Sequence, residues 1–288
     1  MTLPNLFIVG APKAGTTSLA NTLAQHPDIF LPYVKEPHHF GTDLQSKFKS
    51  AADYMALFAG YDRIRYRVDA STNTLRSKDA ISQIMRVVPN ARFIAILRDP
   101  IDAVPSFHGE RRRRFVEPEE SFETAWKQQH DRAQGKIAGP VYFNAYDYGR
   151  QIAALASLVP RDNFRIFTFS ELTQTSEAVL AEILEFLDLP PVRLELARVN
   201  VHRTYRIEGL HRLKSAVSRS VAAVKRKIGF RRNLGLGKRL TSWNTRTVVR
   251  SPLDPALTEA LRATFAAECD LCLQICGKDP RQKSKTIA

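Results

Sequence analysis

The sequence predicts an α/β protein of three layers, a central parallel sheet flanked by helices. Three observations carry this expectation. Short apolar runs of strand length alternate with stretches of helical period through most of the chain, as they do when crossover helices bury both faces of a parallel sheet. The first run, residues 6–9, passes through a tight glycine-containing loop into a helix-like stretch. The 288 residues, 44% of them hydrophobic, can also bury one large core, so a single domain spanning 1–288 is expected.

Each element follows from its residues. After the strand at 6–9 comes Val9-Gly10-Ala11-Pro12-Lys13-Ala14-Gly15-Thr16-Thr17-Ser18, then a helix over 17–25. A helix N-terminus presents unpaired N–H groups and the positive end of its dipole, and Gly15 lets the backbone approach an anion closely. The fold is therefore P-loop-like. A nucleoside-triphosphate loop, however, places lysine directly after its last glycine and before Ser/Thr. Here Thr16 holds that place and the loop's only lysine is Lys13, so the usual Mg²⁺-binding pair is missing.

Strands are expected at 64–68, 93–97 and 164–169, and helices at 79–88, 122–133, 148–158 and 177–187. Ligands of such sheets bind beyond the carboxyl ends of the strands. The strand at 93–97 is followed by Arg98-Asp99-Pro100, with proline suited to the first turn of a helix and Ser106 about two turns into it. Arg98 and Ser106 are thus placed to hold one phosphate. The strand at 64–68 ends in Asp69-Ala70-Ser71-Thr72-Asn73, a polar end facing the same crevice. Between the first two strands lies Lys35-Glu36-Pro37-His38-His39-Phe40, a dense set of ionisable groups. The run Arg111 to Arg114 reads as a solvated face, with contact to an anionic acceptor as the alternative, and Glu171 as a cap of the segment that follows it.

The net charge of +14 is local. Between His202 and Arg239 twelve Lys/Arg stand against Glu208 alone, so an ordinary globular body carries one basic insertion at about 203–240. No zinc-finger spacing or aromatic RNA-binding signature accompanies it, which argues against nucleic acid. Leu210, Leu213, Val217, Val221, Val224 and Ile228 make one apolar face within it. Such a helix suits a lid over an acceptor site, dimerisation, or peripheral contact of residues 208–230 with an anionic membrane face. Cys269, Cys272 and Cys276 lie on one face of a predicted helix and read as packing residues. Three cysteines give no disulfide framework, and no leader or spanning stretch is visible, so a cytoplasmic location is expected.

Taken together these segments resemble the sulfotransferases that use 3′-phosphoadenosine 5′-phosphosulfate. Pro12-Lys13-Ala14-Gly15-Thr16-Thr17-Ser18 is similar to that family's 5′-phosphosulfate loop, and Arg98-Asp99-Pro100 with Ser106 to its 3′-phosphate site. Lys35-Glu36-Pro37-His38-His39-Phe40 resembles the Lys-Glu-Pro-His-Phe-Phe segment of bacterial and heparan sulfate-type members, in which the matching glutamate is the catalytic base. The resemblance covers roughly 3–200 and 243–279, including Ser251-Pro252-Leu253-Asp254-Pro255 near the closing helix.

The resemblance implies sulfuryl transfer to a hydroxyl or amine, with adenosine 3′,5′-bisphosphate as product and no metal. Lys13 and Glu36 are then catalytic, and Lys13, Ala14, Gly15, Thr16, Thr17, Ser18, Arg98 and Ser106 bind the donor. Where eukaryotic members clamp the nucleotide with a later loop, Lys238, Arg239 and Arg246 are candidates. His38 or His39 is an alternative base. The acceptor is open: a glycan, a lipid, a small hydroxylated metabolite or a peptide. A kinase-like phosphotransferase and a non-catalytic module docking on anionic surfaces are the competing classes, the first disfavoured by the displaced lysine.

Overall fold

The computed structural model describes residues 2–48, 50–197, 203–205, 245–247 and 252–282. Five strands form one parallel sheet in the order β2-β3-β1-β4-β5, with β1 at Leu6–Gly10, β2 at Ile29–Phe30, β3 at Tyr66–Asp69, β4 at Arg92–Leu97 and β5 at Phe164–Thr168. Every residue of β1 and all but the first of β4 are buried, as a sheet covered on both faces requires. The three-layer α/β expectation is met.

The helices in chain order are α1 (Thr16–Leu23), α2 (Ala51–Met55), α3 (Lys78–Val87), α4 (Pro100–Arg113), α5 (Phe122–Lys127), α6 (Gln129–Ala133), α7 (Tyr148–Leu158), α8 (Phe169–Gln174), α9 (Ser176–Phe186) and α10 (Pro255–Cys276). Helix α7 packs on α3 and α10, and α10 also reaches α4. Cys269 and Cys272 are buried on α10, in keeping with a packing role. Gly149 lets α7 and α10 touch, since a Cβ there would lie 2.7 Å from Leu271 Cβ. Gly149→Val should therefore lower unfolding free energy by about 1–3 kcal/mol through overpacking. Urea denaturation would show it as a lower midpoint at unchanged slope.

Some boundaries differ from the sequence reading. The helix expected at 122–133 is broken at Gln128, which caps both α5 and α6. Beyond the break the polar side chains turn inward: Gln129 donates to the Ala125 and Pro140 carbonyls, and fully buried Arg132 pairs with Glu117 at 2.6 Å. The strand expected to begin at Ile64 begins at Tyr66, because the amide of Ile64 closes a turn on the Tyr61 carbonyl. At the far edge Thr168 ends β5 and caps α8, its hydroxyl and the Glu171 carboxylate forming a reciprocal capping box. Glu171 is thus a cap, and it also pairs with Lys278. Pro105 lies inside α4, which nevertheless runs on to Arg113 from the Asp99 cap.

The chain leaves β1 toward β2 and β3 on one side of the sheet, and leaves β4 toward β5 on the other. The switch point therefore falls between β1 and β4, where the loops of both strands open a crevice. Register between these strands shifts between Ile8 and Gly10, at the entrance to the first loop.

Contacts divide the chain into two units, residues 1–199 with 253–288, and residues 200–252. In the second, strands β6 (Arg203–Tyr205) and β7 (Thr245–Thr247) pair antiparallel, with Thr204 opposite Arg246. The apolar face from Leu210 to Ile228, the 208–230 segment, and Lys238 and Arg239 lie outside the described residues. Among the described residues no helix is long and apolar enough to cross a membrane.

Candidate active site

The loop after β1 is a cradle held open from behind. Gly15 caps α1 at φ +89°, and a Cβ there would lie 3.2–3.3 Å from the side chains of Phe169 and Leu172. Glycine is required on both counts. Thr16 and Thr17 open α1, where the N–H groups have no intrahelical acceptor. Thr16 and Ala14 are buried, whereas Gly15, Thr17 and Ser18 are half-buried. The amide of Ala14 closes the turn on the Ala11 carbonyl at 3.3 Å.

Arg98 leaves β4 at the other side of the crevice and crosses to this loop. Its Nη1 donates to the Lys13 carbonyl at 3.0 Å, and its guanidinium lies over the Phe169 ring at 4.5 Å. The Tyr148 hydroxyl donates to the Arg98 carbonyl at 2.9 Å and fixes the strand end. Arg98 Nε is buried without a partner. Ser106 is buried on α4, on the helical face shared at four-residue spacing by Glu110 and Arg114. An unsatisfied buried guanidinium nitrogen beside a helix N-terminus suits a phosphate-bearing donor.

Lys13 itself has φ +63°, and its ammonium pairs with Glu110 Oε2 at 3.0 Å. Burial lowers its pKa, and the Glu110 charge offsets this only in part. Glu110 also accepts from Arg114 at 2.7 Å, and Arg114 stands 3.6 Å from Glu36. Burial raises the Glu110 carboxyl, but Lys13 and Arg114 outweigh it and leave it lowered. Alternating charges thus join the two residues singled out as catalytic. Glu110 was not singled out in the sequence and Arg114 only as part of a basic run, although their spacing from Ser106 on one helix face was a signal. The reading of Arg111–Arg114 as a solvated face is corrected accordingly. Arg114 reaches the site, Arg111 is half-buried against Phe107, and Arg112 donates to the Glu117 and Pro118 carbonyls.

Glu36 is buried at 9% exposure with φ +51°, and is not a surface carboxylate paired with its neighbour. Thr72 Oγ1 lies 3.4 Å from Oε1, and His38 Nε2 lies 3.7 Å from Oε2. Burial pushes the carboxyl up, but the nearby His38 imidazole and the charges of Lys35 and Arg114 outweigh it and hold it at about 2. It is a carboxylate throughout the physiological range. Lys13, Glu36 and His38 all have positive φ, a conformation that costs about 1–3 kcal/mol per residue and tends to mark functional loops.

The polar end of β3 supports this loop. Ser71 Oγ accepts from the His38 amide at 3.0 Å and donates to Asp69 at 2.6 Å, and the Tyr54 hydroxyl donates to the other Asp69 oxygen at 2.6 Å. His39 stacks on Tyr54 with ring centroids 4.1 Å apart, and burial lowers its pKa. Of the two histidines, His38 is the one beside Glu36. Among the described residues no cluster of three or more His, Cys, Asp or Glu could hold a metal ion.

A glycine loop at a helix N-terminus and a crossing arginine at the switch point of a parallel sheet, with lysine displaced from its nucleotide-kinase position, make a P-loop-like architecture. The chain belongs to the sulfotransferase domain family, whose model matches residues 3–266. It is 30% identical to mouse bifunctional heparan sulfate N-deacetylase/N-sulfotransferase 3 over 115 residues, 38% of this chain and 13% of the relative. A membrane-associated sulfotransferase of Dictyostelium discoideum is 25% identical over 100 residues, 35% of this chain and 21% of the relative. The match thus spans about a fifth or less of these relatives' own lengths. A sulfotransferase structure from Alicyclobacillus acidocaldarius shares the fold, with a TM-score of 0.70 at 21% identity over 97% of this chain and 98% of that one.

Proposed function

We propose that the chain moves a sulfuryl group in line from 3′-phosphoadenosine 5′-phosphosulfate to an acceptor hydroxyl or amine, releasing adenosine 3′,5′-bisphosphate. The observation that carries the reading is the bond from Arg98 to the Lys13 carbonyl, which ties the two candidate phosphate segments into one crevice. Gly15, Thr16, Thr17 and Ser18 would receive the 5′-phosphosulfate, and Arg98 and Ser106 the 3′-phosphate.

As the acceptor oxygen bonds to sulfur, the sulfur–oxygen bond to the 5′-phosphate breaks and its electron pair stays on the phosphate. Lys13 and the first N–H groups of α1 stabilise that growing charge, the kind of fixed electrostatic support that dominates such transfers. The acceptor hydroxyl's proton passes to Glu36, provided that the oxygen comes within about 3 Å. A carboxylate held at about 2 is a weak base. It therefore accepts a hydrogen bond from the hydroxyl first and takes the proton only as the new bond forms. The scheme calls on no metal, and the cytoplasmic location expected from cysteine usage belongs to the same proposal.

The test is thermal-shift titration with adenosine 3′,5′-bisphosphate, ATP and adenosine 5′-phosphate. A ligand that binds only the folded state raises the midpoint with concentration. Wild type should respond to the bisphosphate at the lowest concentration, and Arg98→Ala should respond to the bisphosphate and the monophosphate alike. Equal responses of wild type to all three would refute the donor assignment.

A further inference from the structure

A cavity of about 400 Å³ is lined among others by Asn73, Arg76, Phe107, Arg111, Val116 and Val141. Two of its lining residues are chain neighbours of the charged network around Glu36. Asn73 succeeds Thr72, which lies 3.4 Å from the Glu36 carboxylate. Arg111 lies between Glu110, the partner of Lys13, and Arg114, which faces Glu36. The volume falls in the range of small-molecule sites.

Its charge is one-sided. Among the described residues neither Arg76 nor Arg111 forms an ion pair, although Lys13, Arg114 and Arg132 nearby all do. Arg111 Nε is buried with no hydrogen-bond partner, its guanidinium lies over Phe107 at 4.5 Å, and burial lowers its pKa. Glu110 and Glu36 attract its charge from nearby, but the buried Nε itself has no acceptor, and a buried guanidinium N–H without one is costly. The rest of the wall includes the apolar side chains of Val116, Val141 and Phe107.

We propose that this cavity seats the acceptor, and that the acceptor is a small organic acid: a hydroxylated molecule whose carboxylate or sulfonate is held by Arg111 with Arg76, and whose apolar body lies on Phe107, Val116 and Val141. This deepens the sulfuryl-transfer reading and rests on it. Arg111 gives fork-shaped recognition of the acid, Asn73 offers an amide to a neighbouring polar group, and the hydroxyl points toward Glu36. Arg76 is exposed, so its share of the affinity is the smaller one.

The experiment uses the full chain saturated with adenosine 3′,5′-bisphosphate, so that added acids cannot occupy the donor site. The probes are 4-hydroxybenzoate, 4-hydroxyphenylacetate and 4-hydroxybenzenesulfonate, each with its primary amide, measured by calorimetric titration. At least one acid should bind about tenfold or more tightly than its amide, as a charge-assisted bond would give. Arg111→Gln should abolish that preference, Arg76→Gln should reduce it, and both should keep wild-type affinity for the bisphosphate. Amides binding as well as acids, no acid binding at all, or a preference that survives Arg111→Gln would each overturn the proposal. If Arg111→Gln loses the bisphosphate as well, Arg111→Lys decides: it should restore bisphosphate binding and part of the acid preference, and no preference would overturn the proposal. Failure of wild type to bind the bisphosphate refutes the donor reading instead, so the two failures are distinguishable.

Discussion

Lys13→Ala should lower turnover by roughly 10²–10³-fold, the loss seen when one preorganised donor to a developing oxyanion is removed. Bisphosphate affinity should fall far less, because Arg98 and the first turn of α1 remain. The substitution also strips Glu110 of one of its two cationic partners, leaving Arg114 at 2.7 Å. A modest fall in the thermal midpoint is therefore expected alongside the kinetic effect, and circular dichroism separates the two. Lys13→Arg should rescue little, since a planar fork replaces a compact ammonium in a half-buried, positive-φ position. Turnover within a few-fold of wild type in Lys13→Ala would remove Lys13 from the chemistry.

Glu36→Gln should lower turnover by about 10²–10⁴-fold, the range that general acid–base groups contribute, with donor binding intact. An amide fills the same volume and still meets Thr72, so the loss reports on the charge. The pH dependence gives an independent readout. The carboxyl is held at about 2 against an ordinary 4.5. A depressed folded-state value contributes stability that is fully present above the unfolded value and is lost as pH falls through the folded one. Wild type should therefore lose stability between pH 4.5 and about 2 more steeply than Glu36→Gln. Parallel acid-unfolding curves would place the carboxyl at an ordinary value, and retained turnover would exclude it as the base.

Much of the site was legible because its parts are local. A strand, a loop containing Gly15 and a helix start sit in consecutive residues, as do Arg98, the Asp99 cap and Pro100. Such features depend on neighbours in sequence, and the sequence can be read for them directly. Glu36 was legible only as a pattern within residues 35–40. Its low pKa comes from His38 and Lys35 within that pattern and from Arg114, and Thr72 and Arg114, which stand beside its carboxylate, arrive from other elements. The break at Gln128 was missed for the same reason: the helical period continues through 122–133, but Arg132 turns inward to a carboxylate fifteen residues earlier.

By itself, then, the sequence determined the parallel α/β architecture, the glycine loop after β1 with its displaced lysine, and the candidate second segment that begins at the end of β4 and runs into α4. Tertiary structure alone decided that Lys13 and Glu36 belong to one charged network through Glu110 and Arg114, and that Arg111 faces a cavity rather than water. The physical reason is range. Hydrogen-bonded caps and loop turns are set within a few residues, whereas an ion pair or a cavity wall exists only after distant elements have packed and excluded water between them.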